Sequence, residues 1–175
     1  VHEITLYIKV KYPDVPYFLL GHSMGTFISI IYFKKYDSFL DGMFLSGTPG
    51  YNSACGLGKT LTKLITNFKG EYYRSDFVNN LVNGAFARPF KKEGSKCAWL
   101  ANDPAVYKKY EEDPLCGYTF TLNGFMTLFQ LMEGAYKSDI WILKDLTVPV
   151  RLMSGTKDPC MGSKRKLLST EQFSF

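Results

Sequence analysis

Gly21-His22-Ser23-Met24-Gly25 sets a serine between two glycines at a spacing suited to nucleophilic catalysis. A serine hydroxyl attacks a carbonyl carbon only when a base removes its proton and its oxygen is well exposed. The Gly-x-Ser-x-Gly pattern addresses exposure: the serine occupies a tight strand-to-helix turn, and Gly21 and Gly25 are expected to leave room for close backbone. Such a turn sets Ser23 at the positive end of the following helix, with the N–H of Met24 as the natural first oxyanion donor. His22 is expected to point away from Ser23 and to act as a packing and hydrogen-bonding residue of the turn. An idle serine in a glycine-rich turn would show the same five residues. A buried strand running in and an apolar helix running out favour the nucleophile.

A nucleophilic serine needs a base, and the base needs an acid to orient it. Asp158, in Ser154-Gly155-Thr156-Lys157-Asp158-Pro159, follows an apolar strand and comes after the serine in the chain, the order Ser, Asp, His. Its competing use is as a turn aspartate ahead of proline. Asp145 and Asp139 are the next acids in line. The chain has two histidines. His22 adjoins the nucleophile, His2 precedes it, and none follows Asp158, so the base is expected to lie outside this sequence. No metal and no cofactor are expected. Cys55, Cys97, Cys116 and Cys160 lack zinc or redox-pair spacing. Gly56-Leu57-Gly58-Lys59-Thr60 resembles the end of a phosphate-binding loop, but Ser53 stands where the first glycine belongs, and the segment reads as a helix start.

The elements that must position these groups are legible from hydrophobic pattern. Val1 to Tyr12 fits a helix with Val1, Ile4, Ile8 and Tyr12 on one face, and it also alternates as a strand would. The need for a crossover helix before the next parallel strand favours the helix. Val15 to Leu20 is a short apolar run, the pattern of a strand buried on both faces. Met24 to Tyr36 is apolar almost all round and predicts an interior helix, with Lys34 and Lys35 at its negative end. Met43 to Leu45 and Val148 to Met153 are further strands, each ending in Ser-Gly-Thr. The succession predicts an α/β fold, a partial parallel sheet flanked by helices. Residues 1–48 and 147–175 form its core and 49–146 an inserted helical lid, with helices at 56–68, 76–83, 104–112 and 124–135. The tail beyond 161 is atypical.

Composition narrows the class. The chain is 175 residues long, 46% hydrophobic and 21% charged, ordinary values for a globular domain. No apolar stretch is long enough to span a membrane. No leader is visible, although the chain opens at Val1 and not at a methionine. The formal charge of +5 is spread along the chain apart from Lys164-Arg165-Lys166, so nucleic acid is not an expected partner. The four cysteines read as buried thiols in a reducing, cytoplasmic compartment. The pattern says nothing of oligomeric state.

Pro16-Tyr17-Phe18-Leu19-Leu20 leading into Gly21–Gly25 resembles the monoacylglycerol-lipase and lysophospholipase branch of the α/β-hydrolases, the serine aminopeptidase S33 type. Asp113-Pro114-Leu115-Cys116-Gly117-Tyr118-Thr119-Phe120-Thr121 is similar to the lid of bacterial members, and Ser154 to Pro159 to their acid loop. The resemblance implies an α/β-hydrolase fold, Ser23 as nucleophile and Asp158 as acid. It also implies a small ester or lipid-like substrate such as a lysophospholipid or monoacylglycerol. An aminopeptidase or thioesterase would use the same triad. Members of the family also carry a His-Gly oxyanion loop and a catalytic histidine that this sequence does not show. A non-catalytic binding module on the same fold is the alternative of another class.

Overall fold

The computed structural model describes residues 1–52, 54–137, 145 and 147–162. Helix α1 (His2–Lys11) leads into strand β1 (Phe18–His22), helix α2 (Met24–Tyr36), a 3-10 turn (Asp37–Phe39) and strand β2 (Gly42–Ser46). Helices α3 (Cys55–Lys69), α4 (Asp76–Ala87), α5 (Pro104–Glu112) and α6 (Leu122–Tyr136) follow, then strand β3 (Val150–Met153). A second 3-10 stretch, Arg88–Glu93, separates α4 from α5.

The chain forms two compact units. The first holds Val1–Tyr51, Leu131–Thr156 and the described residues from Cys160. The second holds Asn52–Gln130 with Lys157–Pro159.

In the first unit the strands form a parallel sheet in the order β1-β2-β3. The register pairs Leu19 with Met43 and Gly21 with Leu45, and Met43 with Val150 and Leu45 with Leu152. Those residues share one face, because strand side chains alternate. Helix α2 packs on β1 and β2, and Phe27, Ile30, Phe33, Met43 and Leu45 are its buried core. The other face carries Phe18, Leu20 and Phe44, which stay exposed.

Two expectations are corrected here. The elbow strand runs Phe18–His22 and not Val15–Leu20, and only one of its faces is covered: Leu20 is 66% exposed. It is the outer strand among the described ones, and no described element covers the Phe18 and Leu20 side. The opening segment is a helix, but its apolar stripe is not its buried face. Val1, Ile4 and Tyr12 are exposed, while Thr5 is fully buried with its hydroxyl 3.4 Å from that of Tyr17. His2 fastens the start of α1, stacked on Tyr36 at 3.8 Å and edge-on to Phe39.

Asp41 ties the bottom of the sheet. Its carboxylate accepts the Tyr17 N–H at 2.6 Å, and its own N–H donates to the Tyr17 carbonyl. The Tyr17 N–H and then the Lys9 ammonium, 3.5 Å away, hold this carboxyl below its ordinary pKa.

Lys34 follows a path its sequence position does not suggest. It is 1% exposed, and its ammonium donates to the carbonyls of Gly134, Ala135 and Lys137 at 3.2, 2.6 and 2.8 Å. The first two are final carbonyls of α6 and the third follows it directly, where carbonyls at a helix end need partners. The charge expected to serve its own helix therefore caps another one.

The second unit is built by caps and aromatic packing. Ser75 caps α4 by accepting the Val78 N–H, and Asp103 caps α5 by accepting that of Ala105, with Pro104 in the first turn. Helix α3 ends at Gly70, whose φ of 81° suits glycine. Val78, Tyr107, Leu122, Phe125 and Phe129 are buried. Arg74 bonds the Thr119 carbonyl and lies over the Tyr118 ring. Of the four cysteines, expected to be buried thiols, only Cys55 is; the others are half-exposed.

Candidate active site

The elbow forms where β1 meets α2. Ser23 has φ 51° and ψ −120°, and among the described residues it alone takes a positive φ without being glycine. A side chain in that region is strained, and the strain is a mark of nucleophile turns. Its backbone N–H donates to the Ser46 carbonyl at 2.9 Å, and its carbonyl accepts from both the N–H and the hydroxyl of Thr26. The turn is thus held from β2 on one side and from the first turn of α2 on the other. Ser23 itself is exposed, and its hydroxyl makes no capping bond to α2. Met24 is the first helical residue, so its N–H lies at the positive end of the helix.

The two glycines are not equivalent. A Cβ on Gly21 would meet Ser29 Oγ at 2.5 Å, the Gly25 carbonyl at 2.8 Å and Thr26 Cα at 2.9 Å. Strand and helix are in such close contact here that only glycine fits. A Cβ on Gly25 would meet nothing within 4 Å, so the crowding expected at that position is absent.

His22 is exposed, and its Nδ1 lies 3.3 Å from Ser46 Oγ. His2 stacks on Tyr36, the last residue of α2, whereas Ser23 precedes the first. Thirteen helical residues separate them, about 20 Å at 1.5 Å per residue. His2 is out of reach of the serine.

Asp158 sits half-buried in the loop after β3 and belongs to the second unit with Lys157 and Pro159. Two residues on, the Cys160 carbonyl accepts the Gly50 N–H at 3.1 Å, which fixes Cys160 beside the loop after β2. Asp145 does structural work instead. Its Oδ1 accepts from the hydroxyl and the N–H of Thr147, which hold its carboxyl below the ordinary range, and its own N–H donates to Asp37. Asp139 and the tail from residue 163 lie outside the described residues. So does Ser53, the position that argued against a phosphate loop; Gly56–Thr60 lies within α3.

Sequence reasoning passed over two residues of the rim. Ser46 was visible only as part of a repeated Ser-Gly-Thr. Tyr136 donates its hydroxyl to the Pro49 carbonyl at 2.6 Å and packs edge-on against Phe27 and Tyr51, so it fixes the loop that follows β2. Nothing local in its helix marks it. Among the described residues no group of three His, Cys, Asp or Glu side chains could hold a metal, and no helix is long and apolar enough to cross a membrane.

The family model described as Hydrolase_4, serine aminopeptidase S33, matches residues 1–172. This chain belongs to that family. A curated relative, the monoglyceride lipase of Mus musculus, is 53% identical over 38 residues, which are 22% of this chain and 12% of that protein. Among solved structures, a highly thermostable carboxyl esterase from Bacillus coagulans in complex with glycerol aligns with a TM-score of 0.68 and 17% identity. That match covers 98% of this chain and 68% of the esterase. A lipase in its open form aligns with a TM-score of 0.81 and 17% identity, over 98% of this chain and 57% of the lipase. The chain therefore corresponds to a part of each of these longer proteins. The structural likeness establishes the α/β-hydrolase fold.

Proposed function

We propose that this S33-family chain carries the nucleophile and acid of a serine hydrolase that cleaves carboxylic esters. The observation that carries the reading is the strained, exposed Ser23 between β1 and α2, fixed through the Ser46 carbonyl. In the proposed reaction Ser23 Oγ attacks the ester carbonyl, and the N–H of Met24 donates to the developing oxyanion. Asp158 orients and stabilises an imidazole that takes the serine proton and returns it to the leaving alcohol. Water then releases the acid from the acyl-enzyme.

That imidazole comes from polypeptide beyond these 175 residues. His22 is engaged with Ser46, and His2 is about 20 Å away along α2. A second oxyanion donor would have to come from the same source. Residues 49–146, helical wherever an element is described among them, serve in this reading as the inserted lid segment.

For the substrate we propose a monoacylglycerol or lysophospholipid-like ester, and the 38-residue likeness to a monoglyceride lipase supports the first of these. The family's own description favours a second reading, an aminopeptidase. Full-length protein, the product of the whole reading frame containing this sequence, decides between them. A monoacylglycerol, a lysophospholipid and an aminoacyl-p-nitroanilide are compared with Ser23→Ala as blank. Ester turnover lost in Ser23→Ala supports the first reading, and anilide turnover alone supports the second. The isolated 175-residue chain is expected to turn over none of them.

A further inference from the structure

Ser46 holds both residues of the His22–Ser23 peptide. Its main-chain carbonyl accepts the Ser23 N–H at 2.9 Å, and its side-chain oxygen lies 3.3 Å from His22 Nδ1. The first tether lies in the peptide plane itself, and the second restrains the residue that precedes it, through the His22 ring. His22 and Ser46 also form the last paired position of the β1–β2 ladder, and ladder ends are where strands open most readily. Ser46 is itself fixed from the far side. It pairs with Met153 of β3, and the next N–H, that of Gly47, donates to the Met153 carbonyl at 2.8 Å.

The side-chain bond does not satisfy a buried group, because His22 is exposed and Ser46 is only partly covered. Its loss therefore leaves no orphaned polar atom, and its effect belongs to geometry more than to stability. The geometry at stake is the left-handed turn at Ser23, which relaxes unless its surroundings determine it. A hydroxyl can donate to Nδ1 or accept from it, so this tether holds for either neutral tautomer of the ring.

We propose that Ser46 is a positioning residue for the nucleophile. Its hydroxyl, acting through the His22 ring, sets the plane of the peptide preceding Ser23 and hence the direction in which Ser23 Oγ and the Met24 N–H face a substrate. This rests on Ser23 being the nucleophile.

The test uses full-length protein as Ser46→Ala, His22→Leu, the double variant and Ser46→Thr. The readouts are kcat and KM on p-nitrophenyl butyrate, the rate of fluorophosphonate attachment at Ser23 by peptide mapping, and the melting temperature. Each single change is expected to lower kcat and the attachment rate about threefold to tenfold, the worth of one neutral hydrogen bond. KM and melting temperature should hardly move. The double variant should be no slower than either single, because both remove the same bond, and Ser46→Thr should recover the rate. Should Ser46→Ala be recovered unfolded, His22→Leu tests the bond from its other end. Wild-type attachment rates in Ser46→Ala or His22→Leu, with Ser23 still the labelled residue, overturn the role of Ser46. So do losses that multiply in the double variant. Absence of label on Ser23 in the wild-type protein overturns instead the assignment of the nucleophile.

Discussion

The backbone N–H of Ser23 reaches across to the carbonyl of Ser46 at 2.9 Å, so the turn that presents Ser23 is the continuation of the β1–β2 ladder. Strand pairing, which is set by the core beneath it, thereby extends one residue beyond the strand into the strained position.

Gly21 and Gly25 should respond differently to the same substitution. Gly21→Ala drives a methyl into backbone of α2 that cannot step aside, and it is expected to destabilise the protein by about 2–4 kcal/mol, at or above the usual overpacking cost. Gly25→Ala enters open space near the start of a helix, where alanine is the better residue, and should change stability by less than about 1 kcal/mol. Urea unfolding of the two variants measures the contrast.

Lys34→Met keeps most of the side-chain volume but removes the ammonium from two α6 carbonyls and the Lys137 carbonyl just past them. Losing a charged partner from buried acceptors is expected to cost about 2–4 kcal/mol. The same unfolding experiment reads it, and hydrogen exchange should show earlier opening of the last turn of α6.

Asp41 makes stability pH-dependent in a definite direction. Its folded pKa is lowered, first by the Tyr17 N–H and then by Lys9. Its contribution is complete above the ordinary carboxylate pKa of the unfolded chain, and it is lost as pH falls toward the lower folded value. Asp41→Asn should remove that component, so wild-type and variant melting temperatures should converge as the solution is acidified. A gap that widens toward acid would reverse the sign.

Asp158→Asn is expected to lower kcat of the full-length protein by about three to four powers of ten, with KM changed far less, by analogy with triad acids on other folds. Steady-state kinetics on a p-nitrophenyl ester gives both. Near-normal kcat would assign the acid to another carboxylate; Asp145, committed to Thr147 and Asp37, is poorly placed to serve.

Local chemistry was legible in the sequence, and tertiary contact was not. Gly21–Gly25 announce a turn by composition, and α3 to α6 are visible from period and caps, with boundaries moved by a few residues at most. The strand at Val15–Leu20 was misplaced because its ladder runs on through Gly21 and His22, which carry no apolar signal. Its burial was overestimated because an apolar run does not reveal that Phe18 and Leu20 face an uncovered side. In α1 the apolar stripe pointed to the wrong face, since the position that meets Tyr17 is Thr5. Lys34 reads as a helix-end charge in any local window. Its partners lie about a hundred residues away in the chain.

The central claim is that Ser23 is an activated nucleophile, and one measurement bears on it directly. Full-length protein is treated with a fluorophosphonate probe, digested, and the modified peptide sequenced by mass spectrometry. The account predicts one label, on Ser23, absent from Ser23→Ala and greatly slowed in Asp158→Asn. Labelling that persists undiminished in Ser23→Ala, or that maps to another serine, would contradict it.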